Sequence, residues 1–191
     1  MRSIFTLTLA SSLTLAAFAC GSSTGPTGPS GTLNVMLKDS PFTDAKSLLV
    51  TFSEVSVHHT ESEWTKLPFA AGATSRTCDL KKLQTAQDIL GTGPLAVGRY
   101  TMLRVVVSNA VLYFENEAAG PACAPTIEAP MGRKEIVEIP SGTVRLNRNF
   151  EVAEGNTSSI LLDFDGNRSV VQDAGSGRYT MSPVIGIVSV Q

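Results

Sequence analysis

A chain of 191 residues is long enough for one domain with a full core and too short for two generous ones. Its net charge of −2, with no Lys/Arg cluster interleaved with aromatics, argues against nucleic acid as a partner, which needs a basic face to neutralise phosphates. Hydrophobic residues make up 42%, ordinary for a globular chain, and no internal run reaches the ~18 apolar residues of a spanning helix.

The first 19 residues read as a secretory signal. Arg2 supplies the positive end, residues 4–15 the apolar core, and small residues precede Cys20. Two peptidases fit the site. Ala17, Phe18 and Ala19 make the small-x-small pattern of the general signal peptidase. "AAFAC" also resembles the bacterial lipobox, whose cysteine receives diacylglycerol, although Ala17 replaces the usual large aliphatic residue and Phe18 is bulky for its place. Cysteine parity favours the lipid. There are three cysteines, and with Cys20 acylated, Cys78 and Cys123 can pair and leave no free thiol. That disulfide would close a loop of about 46 residues and stabilise by roughly 4 kcal/mol. Zinc would need four ligands, which two cysteines without a nearby histidine do not supply. Residues 21–31, "GSSTGPTGPSG", have nothing apolar to pack and read as a flexible tether. The expected organisation is a signal peptide at 1–19, a lipid-anchored linker at 20–31 and a β-sandwich domain at 32–191. The expected location is the bacterial cell envelope. The outer membrane is favoured because Gly21 is not the Asp associated with inner-membrane retention; plain secretion is the alternative.

From Thr32 onward, short β-patterned runs alternate with turn residues. "TLNVMLK" places Leu33, Val35 and Leu37 on one face, and Pro41 ends the run. "SLLVTFSEVSVHH" changes phase. Leu48, Val50 and Phe52 share a face, but Val55 and Val57 fall on the other, so a β-bulge near Ser53 and Glu54 or a change of sheet is expected. "ESEWTKL" reads as the returning arm of a hairpin. "DLKKLQTAQDIL" is the one helical candidate, with Leu80, Leu83, Ala86 and Leu90 near one face and Asp79 as cap. The same letters also suit an irregular strand and loop. "GRYTMLRVVVSNAVLYFEN" gives one or two strands, with Leu103, Val105, Val107, Val111 and Tyr113 alternating and a break at Asn109. "KEIVEIP", "TVRLNRNFEV", "SSILLDFD", "RSVVQ" and "YTMSPVIGIVSV" complete the series, separated by "PSG", "EGN" and "DAGSG". This spacing predicts an all-β sandwich or barrel.

Chemistry is sparse. In "LLDFDGNRS" alternation sends Ile160, Leu162 and Phe164 inward and leaves Asp163 and Asp165 together on the opposite face, about 7 Å apart. With Asn167 they begin like an EF-hand loop, which then fails: the sixth position is Arg168 and the twelfth Ala174 rather than Glu. Paired carboxylates also serve glycosidases. Ordinary structural roles, as backbone acceptors or partners of Arg104, Arg145, Arg148 or Arg168, are the leading reading. His58 and His59, the only histidines, point to opposite faces of a regular strand and cannot share a metal there. Trp64 and Tyr113 could make a sugar-stacking platform, although a lone Trp more often seals a core end. No nucleophile elbow, P-loop, dinucleotide fingerprint or HExxH occurs.

"GTLNVMLKDSPFTDAKSLLVTFSEVSVH", "EWTKL", "DLKKLQ", "VGRYTMLRVVV", "EIPSGTVRL", "ILLDFDGNRSVV" and "YTMSPVIGIV" together resemble a bacterial family, domain of unknown function 4382, from Gly31 to about Val188. The resemblance implies secreted or lipid-anchored proteins with an immunoglobulin-like or transthyretin-like antiparallel β-sandwich and at most one short helix. It carries no activity. Asp39, Asp44, Asp163, Asp165, Ser169 and Tyr179 are marks of the family rather than known catalytic residues. The expected function is therefore that of a non-enzymatic structural or binding module, held to a membrane by lipid, with a protein or glycan ligand and no cofactor. The runner-up is a calcium- or carbohydrate-binding accessory domain using Asp39, Asp163 and Asp165 as metal ligands at one rim of the sandwich. A hydrolase built on His58 or His59 comes third.

Overall fold

The computed structural model describes residues 25–40, 45–61 and 63–191; the expected signal peptide, Cys20 and Asp44 lie outside the described residues. In chain order the strands are β1 (Ser30–Ser40), β2 (Ser47–His59), β3 (Trp64–Lys66), β4 (Arg76–Asp79), β5 (Asp88–Ala96), β6 (Gly98–Tyr113) and β7 (Cys123–Ala124). They continue as β8 (Lys134–Glu138), β9 (Thr143–Val152) and β10 (Thr157–Asp165), then one helical turn α1 (Gly166–Ser169), then β11 (Val170–Gln172), β12 (Tyr179–Met181) and β13 (Ile185–Val190). Ser30 and Gly31, expected in the linker, already pair with Ala96 and Leu95.

Two sheets face each other. One has the order β13-β10-β1-β5. The other runs β11-β12-β8-β6-β2-β4-β7, with β3 added to β2 and β9 to β6. The protein is an all-β sandwich, as expected, but not a purely antiparallel one: β1 and β10 pair in parallel, and so do β12 and β8. The core follows the alternation. Leu33, Val35 and Leu37 of β1 and Ile160, Leu162 and Phe164 of β10 are fully buried. They meet Leu48, Val50, Phe52, Val55 and Val57 of β2 in one cluster, with Phe52 edge-on to Phe164 at 6.3 Å. Burying each such side chain contributes about 1.5–3 kcal/mol.

The phase change in β2 is a bulge. Register with β6 shifts on both sides of Phe52, so Val55 and Val57 share the core face with Phe52 despite the odd spacing. A second irregularity corrects the reading of β6. Around Ser108 and Asn109 the strand gains a residue, and the inward set changes from Leu103, Val105 and Val107 to Ala110 and Leu112. Val111 and Tyr113 therefore face out, where Tyr113 joins Leu49 and Ala118 in a satellite cluster.

The helix expected over residues 79–90 is absent. The segment finishes β4, makes a single 3-10 turn at Lys82–Gln84 and enters β5 at Asp88. Leu80, Leu83 and Leu90 are buried, but Ala86 is exposed. Asp79 caps no helix. Its carboxylate accepts from Ser47 Oγ at 2.7 Å and from the N–H groups of Leu48 and Lys81. Pairing of β4 with β2 and of Cys78 with Cys123 across β4 and β7 overrides the helical spacing. The expected disulfide is present, joining Cys78 and Cys123.

Candidate functional site

Asp39, Asp163 and Asp165 gather at one end of the β1-β10 pair but not on one face. Lys38 lies opposite Asp163, Asp39 opposite Phe164, and Ser40 opposite Asp165. Asp163 and Asp165 point outward together, as alternation requires, while Asp39 continues the inward series of Leu33, Val35 and Leu37. Asp163 accepts from Ser40 Oγ at 2.7 Å and pairs with Lys38 at 3.6 Å. Asp165 caps α1, accepting from the Arg168 N–H at 3.0 Å. Its carbonyl accepts from Ser169 Oγ, which in turn accepts from the Val184 N–H, so Ser169 ties the turn to β13's approach. Asp39 is 4% exposed and accepts from the Gly166 N–H at 3.2 Å. Burial pushes its carboxyl up to about 7. Hydrogen bonds from Gln84 and Gly166 offset part of the rise, and the charges of Asp163 and Asp165 add to it. These carboxylates have structural partners. Among the described residues no three His, Cys, Asp or Glu side chains group closely enough to hold a metal ion.

The histidines separate as the strand geometry predicts. His58 faces outward, edge-on to Trp64 at 5.3 Å, with Nδ1 3.4 Å from Thr101 Oγ1. His59 turns to the core end, edge-on to Tyr100 at 5.0 Å, and its Nδ1 accepts from the Glu61 N–H. Among the described residues neither imidazole has a serine hydroxyl and a carboxylate as partners, the arrangement a hydrolytic triad requires. Trp64 and Tyr113 do not form a platform. Trp64 pairs with His58 at one end of β2, and Tyr113 lies opposite Ser47 at the other.

A further concavity is one the sequence did not announce. Where the β5 edge of one sheet faces β3 of the other, the sandwich opens into a cleft of about 910 Å³. Val55, Leu67, Phe69, Leu95 and Tyr100 give it a buried apolar lining, and Lys66, Glu61 and Thr74 are exposed at its mouth. Residues 67–69 hold it open. The Leu67 N–H donates to Val55 O on one sheet, and Pro68 O accepts from the Thr92 N–H on the other. Gly93 permits this approach, since a Cβ there would stand 2.7 Å from Pro68 Cδ. Pro94, paired with Thr32 inside β5 yet unable to donate to a further strand, and Pro68 just past β3 are the local signal for an edge here. The concavity itself depends on segments far apart in the chain.

No curated protein and no solved structure matches the chain. The family described as a domain of unknown function (DUF4382) matches residues 30–183, from the first residue of β1 to just past β12. The match spans both sheets, the bulged β2 and the Asp165-capped turn, so this chain belongs to that family.

Proposed function

We propose that this chain is a non-catalytic binding module, held at the bacterial envelope through a lipid on Cys20, that takes a small and mainly apolar ligand in the cleft between β3 and β5. The observation that carries the reading is the cleft. Its volume of about 910 Å³ falls in the range of ligand sites, and its buried apolar lining with a few polar groups at the mouth is their usual chemistry. Against His59 Nδ1 as a base at the cleft stands its hydrogen bond from the Glu61 N–H. Support for the anchor comes from the lipobox-like "AAFAC" and from the disulfide that leaves Cys20 as the odd cysteine.

Two measurements test this. Anilinonaphthalene sulfonate should bind the native protein saturably, and Thr74→Trp and Val97→Arg, both at exposed cleft positions, should weaken it about tenfold with the melting temperature unchanged. Unaltered dye binding in both variants removes the cleft from the reading. Intact mass of the detergent-extracted protein should begin at an acylated Cys20 and lack two hydrogens for the disulfide. An unmodified, freely soluble chain removes the anchor.

A further inference from the structure

The outer face of β3-β2-β6-β9 carries two side-chain rows running across the strands. In one, Lys66 lies opposite Ser56, Ser56 opposite Arg104, and Arg104 opposite Arg145. In the next, Trp64 lies opposite His58, His58 opposite Met102, and Met102 opposite Asn147. Each row spans about 14 Å at the usual strand spacing. Past Asn147 the β6–β9 ladder bulges into a concavity of about 350 Å³ lined by Thr101, Asn147, Arg148 and Asn149.

The charge on this face is unbalanced. Glu54 lies beside the rows, where Arg104 and Lys66 both engage it, Lys66 at 2.9 Å, and past the bulge Glu151 stands opposite Arg99, which leaves Arg145 and Arg148 in excess. Desolvation raises the pKa of Glu54, but hydrogen bonds from Lys66, Ser56 and Arg104 outweigh that and hold the carboxyl below its ordinary range. Arg145 then stands directly across from Arg104, a like-charge pairing that costs stability. The guanidinium groups of Arg145 and Arg148 have no ion pair or hydrogen bond among the described residues. Beside them Trp64 is held in place, with Arg104 over its ring at 4.4 Å and His58 against it.

We infer that this face binds an anionic polysaccharide, a chain of sugars bearing carboxylates. Arg145 and Arg148 supply unspent guanidinium forks for the carboxylates. The part-exposed Trp64 offers an apolar surface for the C–H face of a sugar ring. Asn147, Asn149 and Thr101 supply amide and hydroxyl groups for its hydroxyls. The site adjoins the cleft, whose lining includes Lys66 and Glu54, but Trp64, Arg145 and Arg148 lie outside that lining, and Thr74 belongs to the cleft and to neither row.

Affinity electrophoresis of the full mature chain through gels containing polygalacturonate, neutral galactan or polyphosphate tests the inference. Polygalacturonate should retard the native protein, less so as salt rises, and galactan should not. Arg145→Glu and Arg148→Glu, at exposed positions, should each weaken retardation about tenfold with unchanged melting. Trp64→Ala should weaken it at every salt concentration, and Trp64→Phe should restore much of the loss. No retardation, or equal retardation by galactan, overturns the inference. Equal retardation by polyphosphate with both Trp64 variants silent also overturns it, because the face would then be a mere anion exchanger. Loss of binding in Thr74→Trp but not in Arg145→Glu moves the ligand to the cleft, overturning this site and leaving the cleft reading intact.

Discussion

Asp39 sets a carboxyl at the end of an inward row that is otherwise Leu33, Val35 and Leu37. Burial raises its pKa from 3.8 to about 7, so the folded protein keeps a proton that the unfolded chain releases. Stability from this residue is therefore fully present below pH 4, falls as pH rises toward 7, and is lost above it. Asp39→Asn keeps an acceptor for the Gly166 N–H and cannot ionise. It should match the native protein at pH 4 and exceed it by about 4 kcal/mol at pH 8, read from denaturant melts at the two values. Gly98 shows a constraint of another kind. Its φ is +146°, and a Cβ there would fall 2.4 Å from His59 Nε2, so the sharp entry into β6 and the seat of His59 both require glycine.

Among elements, those whose alternation is unbroken were legible from sequence. β1 and β10 could be read residue by residue because each buries one face and exposes the other. The bulge in β2 was legible too, since Phe52 and Val55 cannot both be core residues of a regular strand. Less visible was what distant partners decide. Leu80, Leu83 and Leu90 keep helical spacing, yet they reach the core through a strand end, a tight turn and a new strand, because β4 is held between β2 and β7. The break in β6 is legible at Asn109, but not that it carries Val111 and Tyr113 to the outer face. At the acidic corner the roles of Asp163 and Asp165 followed from alternation, whereas the inward turn of Asp39 breaks up the expected rim. The Cys78–Cys123 disulfide belongs to this scale as well. It pins the two-residue strand β7 and the loop before it over β4, across a sequence separation of 45. Replacing both cysteines by Ala should lower stability by about 2–4 kcal/mol in urea titrations without altering the far-ultraviolet strand signal of the native state.

For the whole molecule, the decisive pairing joins its two ends. β1 gains one neighbour, β5, from nearby sequence, and the other, β10, from beyond every strand of the opposite sheet except β11 and β12. A chain ending before Thr157 would leave β1 as an unpaired edge and remove Ile160, Leu162 and Phe164 from the core. Such a fragment should show no cooperative melt and should aggregate, because an exposed apolar strand edge recruits other chains. The position of β1 also sets how the domain bears load. Its first residue, Ser30, comes directly after the Gly/Pro/Ser/Thr segment, and the strand runs into the middle of its sheet rather than along a border. Tension applied through the N-terminus would act along β1, with ladder bonds to β10 on one side and β5 on the other lying across the pull. Those bonds would be sheared together rather than unzipped one at a time, so a domain hung by this end resists being stripped open by drag on whatever it holds.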